Sequence, residues 1–308
     1  MAQLYFSKFN INSKIYDVYE DPELKNQILD QVFENINSEQ IIIGHYNNDD
    51  GTEMEYSYKF CDINKDNDNR NIVGRLVKIY DGELQSYDRE NDTIKNRWEE
   101  DRAASSTFCF DLSREEISFI TRQGLGYIQF NKYFKLLIEQ SFQENAFEIY
   151  LESNIGQLKE KLLRLKRVIS IESTIIPPNA NEDEYDILFG ANTEEVRQSG
   201  ATKYKQALEV VSKGDNSLNL DTGLVKRMLY AVGKGYGMLT AKGRDRSNNK
   251  VTITSNEDAP YKLTIPDKEK DSLPAFRERS LVAISQLVSD KAQRTIEMVG
   301  DMNGEDKK

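Results

Sequence analysis

Phe130, Tyr133, Phe134, Leu137, Ile138 and Phe142 recur at the spacing of one helix face, and runs that alternate apolar with polar residues lie on both sides of them. A chain written in both periods folds as α+β. Its 308 residues exceed one ordinary core and suit two domains, and 38% hydrophobic residues are enough to fill them. The expectation is therefore two domains, 1–145 and 146–308, each a mixed or antiparallel sheet with packed helices, the second ending in a long C-terminal helix.

In the first domain Leu4 to Ile11 alternates as a strand. Asp21 followed by Pro22 reads as a helix N-cap with proline at the first helical position, and Leu24, Ile28, Leu29, Val32, Phe33 and Ile36 form that helix's inner face. Ile41–Ile43, Glu55–Phe60 and Ile72–Tyr80 read as strands, with a polar turn before the last. Residues 81–106 are charged and poor in apolar side chains, and read as a loop or an exposed helix. Phe108 and Phe110 mark another strand. Ser113 and Glu116 fit a capping box, yet Ile117-Ser-Phe119 alternates, and strand is the reading adopted.

Beyond residue 146 the signals are Phe147–Leu151 (strand), Leu158, Leu162 and Leu165 (a short helix) and Val168–Ile176 (a strand stopped by Pro177-Pro178). Glu182–Asp186 reads as a solvated acidic loop, and Lys203–Val211 as strand or helix. Asp221 is placed as the cap of a helix with Leu224, Val225, Met228, Leu229 and Val232 inward. Gly235-Tyr-Gly237 ends it and opens a hairpin of Met238–Gly243 and Lys250–Thr254. Tyr261–Ile265 follows as a strand, and Leu281, Ile284, Val288, Ala292, Ile296 and Val299 line the terminal helix, which is expected to contribute to a homodimer interface.

The chemistry of catalysis is thinly represented. One histidine, His45, excludes zinc sites built on several, and no G-x-S-x-G occurs. Asp62-Ile-Asn64-Lys-Asp66 opens like a calcium loop, but Asn67 and Val73 stand where glycine and a bidentate glutamate are needed. Gly233-Lys-Gly235-Tyr-Gly237 follows a helix and precedes a strand, the reverse of a phosphate-binding loop. Glu-x-Lys occurs only at Glu23–Lys25 and Glu305–Lys307, neither at a strand end as a metal-dependent nuclease requires. No enzyme activity, cofactor or metal is expected. Two cysteines, Cys61 and Cys109, imply no disulfide framework, and the run of about 18 apolar residues that crosses a bilayer is absent. The expected location is cytoplasmic, not inserted in a membrane.

Net charge is −11, yet residues 201–250 carry ten Lys/Arg against four Asp/Glu, a net of +6. Within that window Lys203, Lys205 and Lys213 precede the helix. Lys226, Arg227, Lys234, Lys242, Arg244, Arg246 and Lys250 are the expected DNA contacts, on the helix and the hairpin turn, with Tyr230 and Tyr236 among them as possible stacking platforms. Phosphate contacts of this kind position a protein without reading bases, so binding to duplex DNA is expected to be non-specific. An ordinary solvated face is the plainer alternative.

Two stretches resemble the RexA-like phage-exclusion proteins of prophages. One is Thr107-Phe-Cys-Phe-Asp111 through Ile117-Ser-Phe-Ile-Thr-Arg122 to Gly124-Leu-Gly126 and a helix. The other is Leu239-Thr-Ala-Lys-Gly-Arg-Asp245, a turn, further strands and a long helix containing Ala275-Phe-Arg-Glu-Arg279. The resemblance implies a cytoplasmic DNA-binding dimer that senses phage replication and signals to a membrane protein, as the DNA-binding component of Kiwa-type defence systems also does. A diverged metal-dependent nuclease, and a protein–protein adaptor working through the acidic first domain, are the competing readings.

Overall fold

A computed structural model describes residues 1–47, 51, 53–143, 145–211 and 214–303, with side chains through 293. The alternating N-terminal run is β1 (Ala2–Ile11), followed by α1 (Ile15–Glu20) and α2 (Pro22–Asn35). Asp21 caps α2, accepting from the Glu23 amide, and Pro22 sits where its missing N–H costs nothing. Next come β2 (Ile41–Asn47), β3 (Glu53–Asp66), β4 (Asn71–Asp88), β5 (Thr93–Asp111), β6 (Glu116–Ile120), α3 (Tyr127–Glu139) and β7 (Phe147–Leu151). The remainder is α4 (Ile155–Arg164), β8 (Arg167–Ile175), α5 (Glu182–Phe189), a 3-10 turn, α6 (Thr193–Ser199), β9 (Tyr204–Glu209), α7 (Gly223–Lys234), β10 (Gly237–Arg244) and β11 (Lys250–Thr254). Short α8 (Ser255–Asp258), β12 (Lys262–Ile265), short α9 (Asp267–Lys270) and the long α10 (Leu273–Asn303) complete the chain.

The α+β expectation holds. An eight-stranded antiparallel sheet runs β12-β1-β6-β5-β4-β3-β2, with β7 continuing the β12 edge of β1, and a four-stranded sheet runs β11-β10-β8-β9. Residue alternation divides the large sheet into two cores. Phe9, Ile11, Phe108, Phe110, Ile117 and Phe119 face α2 and α3, while Leu4, Phe6, Cys109 and Ile120 face Phe276, Ile284 and Leu287 of α10. On α3, Phe130 stacks on Phe119 at 3.9 Å between centroids and Tyr133 on Tyr58 at 3.5 Å. Such pairs add about 0.5–1.5 kcal/mol each beyond area burial, which fixes α3 on the sheet.

Residue 145/146 is not a boundary in the hydrogen-bond pattern. Both β7 and β12 lie beyond it in sequence yet pair with β1, and α10 returns to cover the large sheet. Several expectations about local structure are corrected. Residues 81–106 are neither loop nor helix: β4 and β5 continue as a two-stranded ribbon, paired from Gly82↔Glu99 to Asp88↔Thr93. Water on both faces of that ribbon removes the apolar alternation that marks a half-buried strand. Glu182–Asp186 is the start of α5, whose amides are capped by Asn181 and whose dipole is complemented by the carboxylates. The cap of α7 is Thr222, which accepts from the Val225 amide, while Asp221 pairs with Lys226 at 2.9 Å. Leu224, expected inward on that helix, is exposed. On α10, Ile284 is wholly buried in its own chain and is not available to an interface, whereas Val288 and Ala292 are exposed. Ile296 and Val299 lie outside the described side chains.

Candidate nucleic-acid interface

The small sheet buries one face against α4 and α7 through Val168, Ile171, Leu239, Ala241 and Ile253. Its other face is open, and strand register places the polar residues there in rows. Lys205, Thr174 and Met238 form one row, Ala207, Glu172 and Thr240 a second, and Glu209, Ser170, Lys242 and Thr252 a third. A bulge at Lys242/Gly243 shifts the register, and beyond it Arg167, Arg244 and Lys250 stand directly across from one another on three adjacent strands. The rows line a groove of about 590 Å³ bounded by Glu172, Glu209, Lys242, Arg244 and Lys250. The carboxylates belong to β8 and β9, and the cations gather toward β10 and β11.

Like charges directly opposite one another oppose the stability of a sheet. Arg167 is buried and donates to the carbonyls of Asn216 and Val211. Arg244 donates to Asn248 O at 2.9 Å inside the turn. The nearest carboxylate in sequence, Asp245, accepts from the Asn249 amide (2.8 Å) and side chain (3.1 Å), and these bonds hold its pKa below the usual value. It stiffens the turn and does not neutralise the row. Among the described residues Lys205, Lys242, Arg246 and Lys250 form no ion pair, and all four are exposed.

The expected contact set therefore splits. Lys242, Arg244, Arg246 and Lys250 come together on the open face and its turn, while Lys205, which the expected set omitted, lies at the far end of the same face. Lys226 is tied to Asp221, and Lys234 is bound to Glu184 at 2.7 Å with its side chain 14% exposed. Arg227 is half-buried, its guanidinium packed over Gly190. Lys203 pairs with Glu148 at 2.5 Å, and Lys213 lies outside the described residues. Tyr230 and Tyr236 are buried, at 1% and 6% exposure, and are not stacking platforms. The Tyr236 hydroxyl donates to Glu184 Oε2 at 2.6 Å, and burial followed by that carboxylate pushes its pKa well above the usual phenol value.

Behind this face lies a buried ionic junction that no local sequence signal announces, since its lysine is 175 and 139 residues from its two carboxylates. Lys291 Nζ of α10 contacts Glu116 at 2.7 Å and Glu152 at 2.5 Å, and all three side chains are at most 8% exposed. Burial raises the Glu152 pKa to about 7 despite Lys291. Burial alone would lower that of Lys291, but the two carboxylates reverse it, and it stands above the lysine norm. Beside it, Glu115 is held by Lys8 (3.0 Å) and Lys25 (2.7 Å) and is lowered, because the two ammoniums outweigh burial. Gly235, the left-handed C-cap of α7 at φ +81°, fits between: a Cβ there would stand 2.3 Å from Glu152 Oε1 and 2.5 Å from Lys8 Cβ. The cap confirms that Gly233–Gly237 closes a helix and presents no phosphate loop. Asn10 donates to Gly235 O at 3.1 Å, so the junction ties the two sheets together.

Among the described residues no group of three or more His, Cys, Asp or Glu is placed to hold a metal ion, and no helix is long and apolar enough to cross a membrane. His45 is exposed on the edge strand β2, 3.6 Å from Glu53. Cys61 is half-buried and Cys109 buried, each with its thiol pKa raised by burial.

A family model described as a domain of unknown function (DUF4747) matches residues 3–283, and the chain belongs to that family. Comparison with curated proteins and with solved structures gives no match.

Proposed function

We propose that this DUF4747 chain binds duplex DNA without sequence preference through the open face of its small sheet, and carries out no catalysis of its own. The observation that carries the reading is the group of exposed cations Lys242, Arg246 and Lys250, with Arg244 between them, on a chain of net charge −11. Arg244 and Lys250 stand opposite one another in the register, and such a like-charged pair is costly unless a polyanion lies across it. With Tyr230 and Tyr236 buried, the described face offers no exposed aromatic ring on which bases could stack. The contacts are then to phosphate, which suits a duplex.

On this reading the protein acts in the cytoplasm as a sensor. The RexA-like resemblance adds an anti-phage setting, a dimer and a membrane protein that receives the signal. A gel shift with duplex DNA, run with and without Mg²⁺ and scored for cutting, tests the binding and the absence of catalysis together. Retarded, intact DNA at low salt is expected. Mg²⁺-dependent cutting that is lost on replacing a single carboxylate would place the protein among nucleases instead, and no retardation at low salt would end the DNA reading.

A further inference from the structure

The β4–β5 ribbon has a composition and a geometry unlike the rest of the surface. Beyond Tyr80 the two strands pair, among the described residues, only with each other, which leaves both edges of residues 81–102 open there. Eight residues of β4 extend it by about 27 Å at 3.4 Å per residue. A two-stranded hairpin is marginal in water by itself. Cross-strand register puts Trp98 opposite Glu83 and Ile94 opposite Tyr87, so all four share one face. Trp98 is 51% exposed, Tyr87 58% and Ile94 56%, and Trp98 is the only tryptophan in the chain. Around this stripe the ribbon carries eight carboxylates against four cations, a net of −4.

Aromatic anchors in a charged rim are the composition of a binding hot spot. The acidic rim requires a cationic seat, and two identical acidic ribbons would repel one another. The groove of about 590 Å³ on the small sheet offers such a seat at its β10–β11 side, where Lys242, Arg244 and Lys250 line it and Arg246 adjoins in the turn, while Glu172 and Glu209 line its β8–β9 side. We propose that the β4–β5 ribbon of one copy docks into the cationic groove of a second copy, with Trp98 as its anchor. The ribbon's 22 residues match one side of a standard protein interface, about 20–30 residues. Because the groove is also the proposed DNA surface, ribbon and DNA exclude one another, and DNA releases the self-association. The docking uses the same face as the DNA reading but does not depend on DNA binding there.

The sole tryptophan makes the test direct. Without DNA, Trp98 emission and light-scattering mass are followed from about 1 to 100 µM chain at low salt, a range set by the µM-or-tighter affinities of interfaces this size. Expected are a blue shift and a rise in mass with concentration, both reversed at 1 M salt, where screening falls to about 3 Å. Tyr87→Ala with Ile94→Ala, and separately Lys242→Glu with Lys250→Glu, should each abolish both changes while circular dichroism and melting stay at wild-type values, since all four side chains are exposed. A chain monomeric with unshifted emission throughout overturns the proposal. So does self-association that survives the groove variant, which would put the ribbon elsewhere. These readouts contain no DNA, so their failure leaves the DNA-binding reading standing and separately testable.

Discussion

Lys291→Met removes the one cation between two buried carboxylates and keeps most of the side chain's volume. Glu116 and Glu152 are 1% and 0% exposed, and the second oxygen of each is buried without a hydrogen-bond partner. Breaking a buried ion pair from one side costs about 3–5 kcal/mol, because the remaining charge is stranded. That is a large part of the 5–15 kcal/mol that holds an ordinary domain together, and corresponds to a fall of roughly 6–10 °C in Tm. The pH dependence separates charge from packing. Glu152 titrates near 7 in the folded protein, above its ordinary value, so the fold holds a proton that the unfolded chain releases. Its contribution to stability therefore grows as pH falls through about 7 toward the ordinary carboxylate range, and is lost above it. The raised Lys291 pKa has the opposite sign: its stabilisation is complete below the ordinary lysine value and is lost only in alkali. Without Lys291 the Glu152 carboxyl rises further. The variant's deficit should be largest at pH 8 and shrink markedly by pH 5, as Glu152 takes up a proton. Urea denaturation of wild type and variant at pH 5, 6.5 and 8 measures it. A deficit of equal size at all three would show that Lys291 contributes packing alone.

Other consequences follow from the same geometry. Glu152→Gln should flatten the pH dependence of wild-type stability between 5 and 8, read in the same denaturation series. Gly235→Ala must displace Glu152 or Lys8 besides adopting φ +81°, whereas Gly200→Ala, at φ +65° with open space around it, meets only the left-handed penalty of about 1–2 kcal/mol. Thermal melts should show the first loss as clearly larger. Ile284→Asp should give an unfolded or aggregated chain by circular dichroism and light scattering, since a charge there is buried under the large sheet.

The parts of the fold legible in the sequence are those with a dry face. The stripes of α2, α3 and α7 and the alternation of β1, β8 and β10 follow from burial on one side or two, and the cap at Asp21 and the stop at Gly235 follow from local backbone chemistry. The β4–β5 ribbon was hidden because it has no dry face. Sheet membership was hidden for a different reason: β12 follows the β10–β11 hairpin in sequence but pairs Ile265 with Ala2, and nothing local encodes a partner that distant. At the candidate site, the number of cations could be counted in residues 201–250, but their availability could not. Lys226, Lys234 and Lys203 meet Asp221, Glu184 and Glu148, two of these acids lying outside the window. Tyr230 and Tyr236 look exposed beside lysines, yet both pack in one cluster with Tyr185 and Phe189 of α5, a helix whose acidic opening reads as loop.

The salt dependence of DNA binding tests the central claim most directly. Each phosphate contact on a duplex steepens the fall of log affinity with log salt by about 0.9. Replacing Lys242, Arg244 and Arg246 with glutamate should lower that slope by up to about three and weaken all duplexes alike, with melting temperature unchanged. Replacing exposed Lys14, Lys262 and Arg279, away from the small sheet, should change neither slope nor affinity. An unchanged slope in the first variant, with loss of binding in the second, would contradict the assignment of the open face.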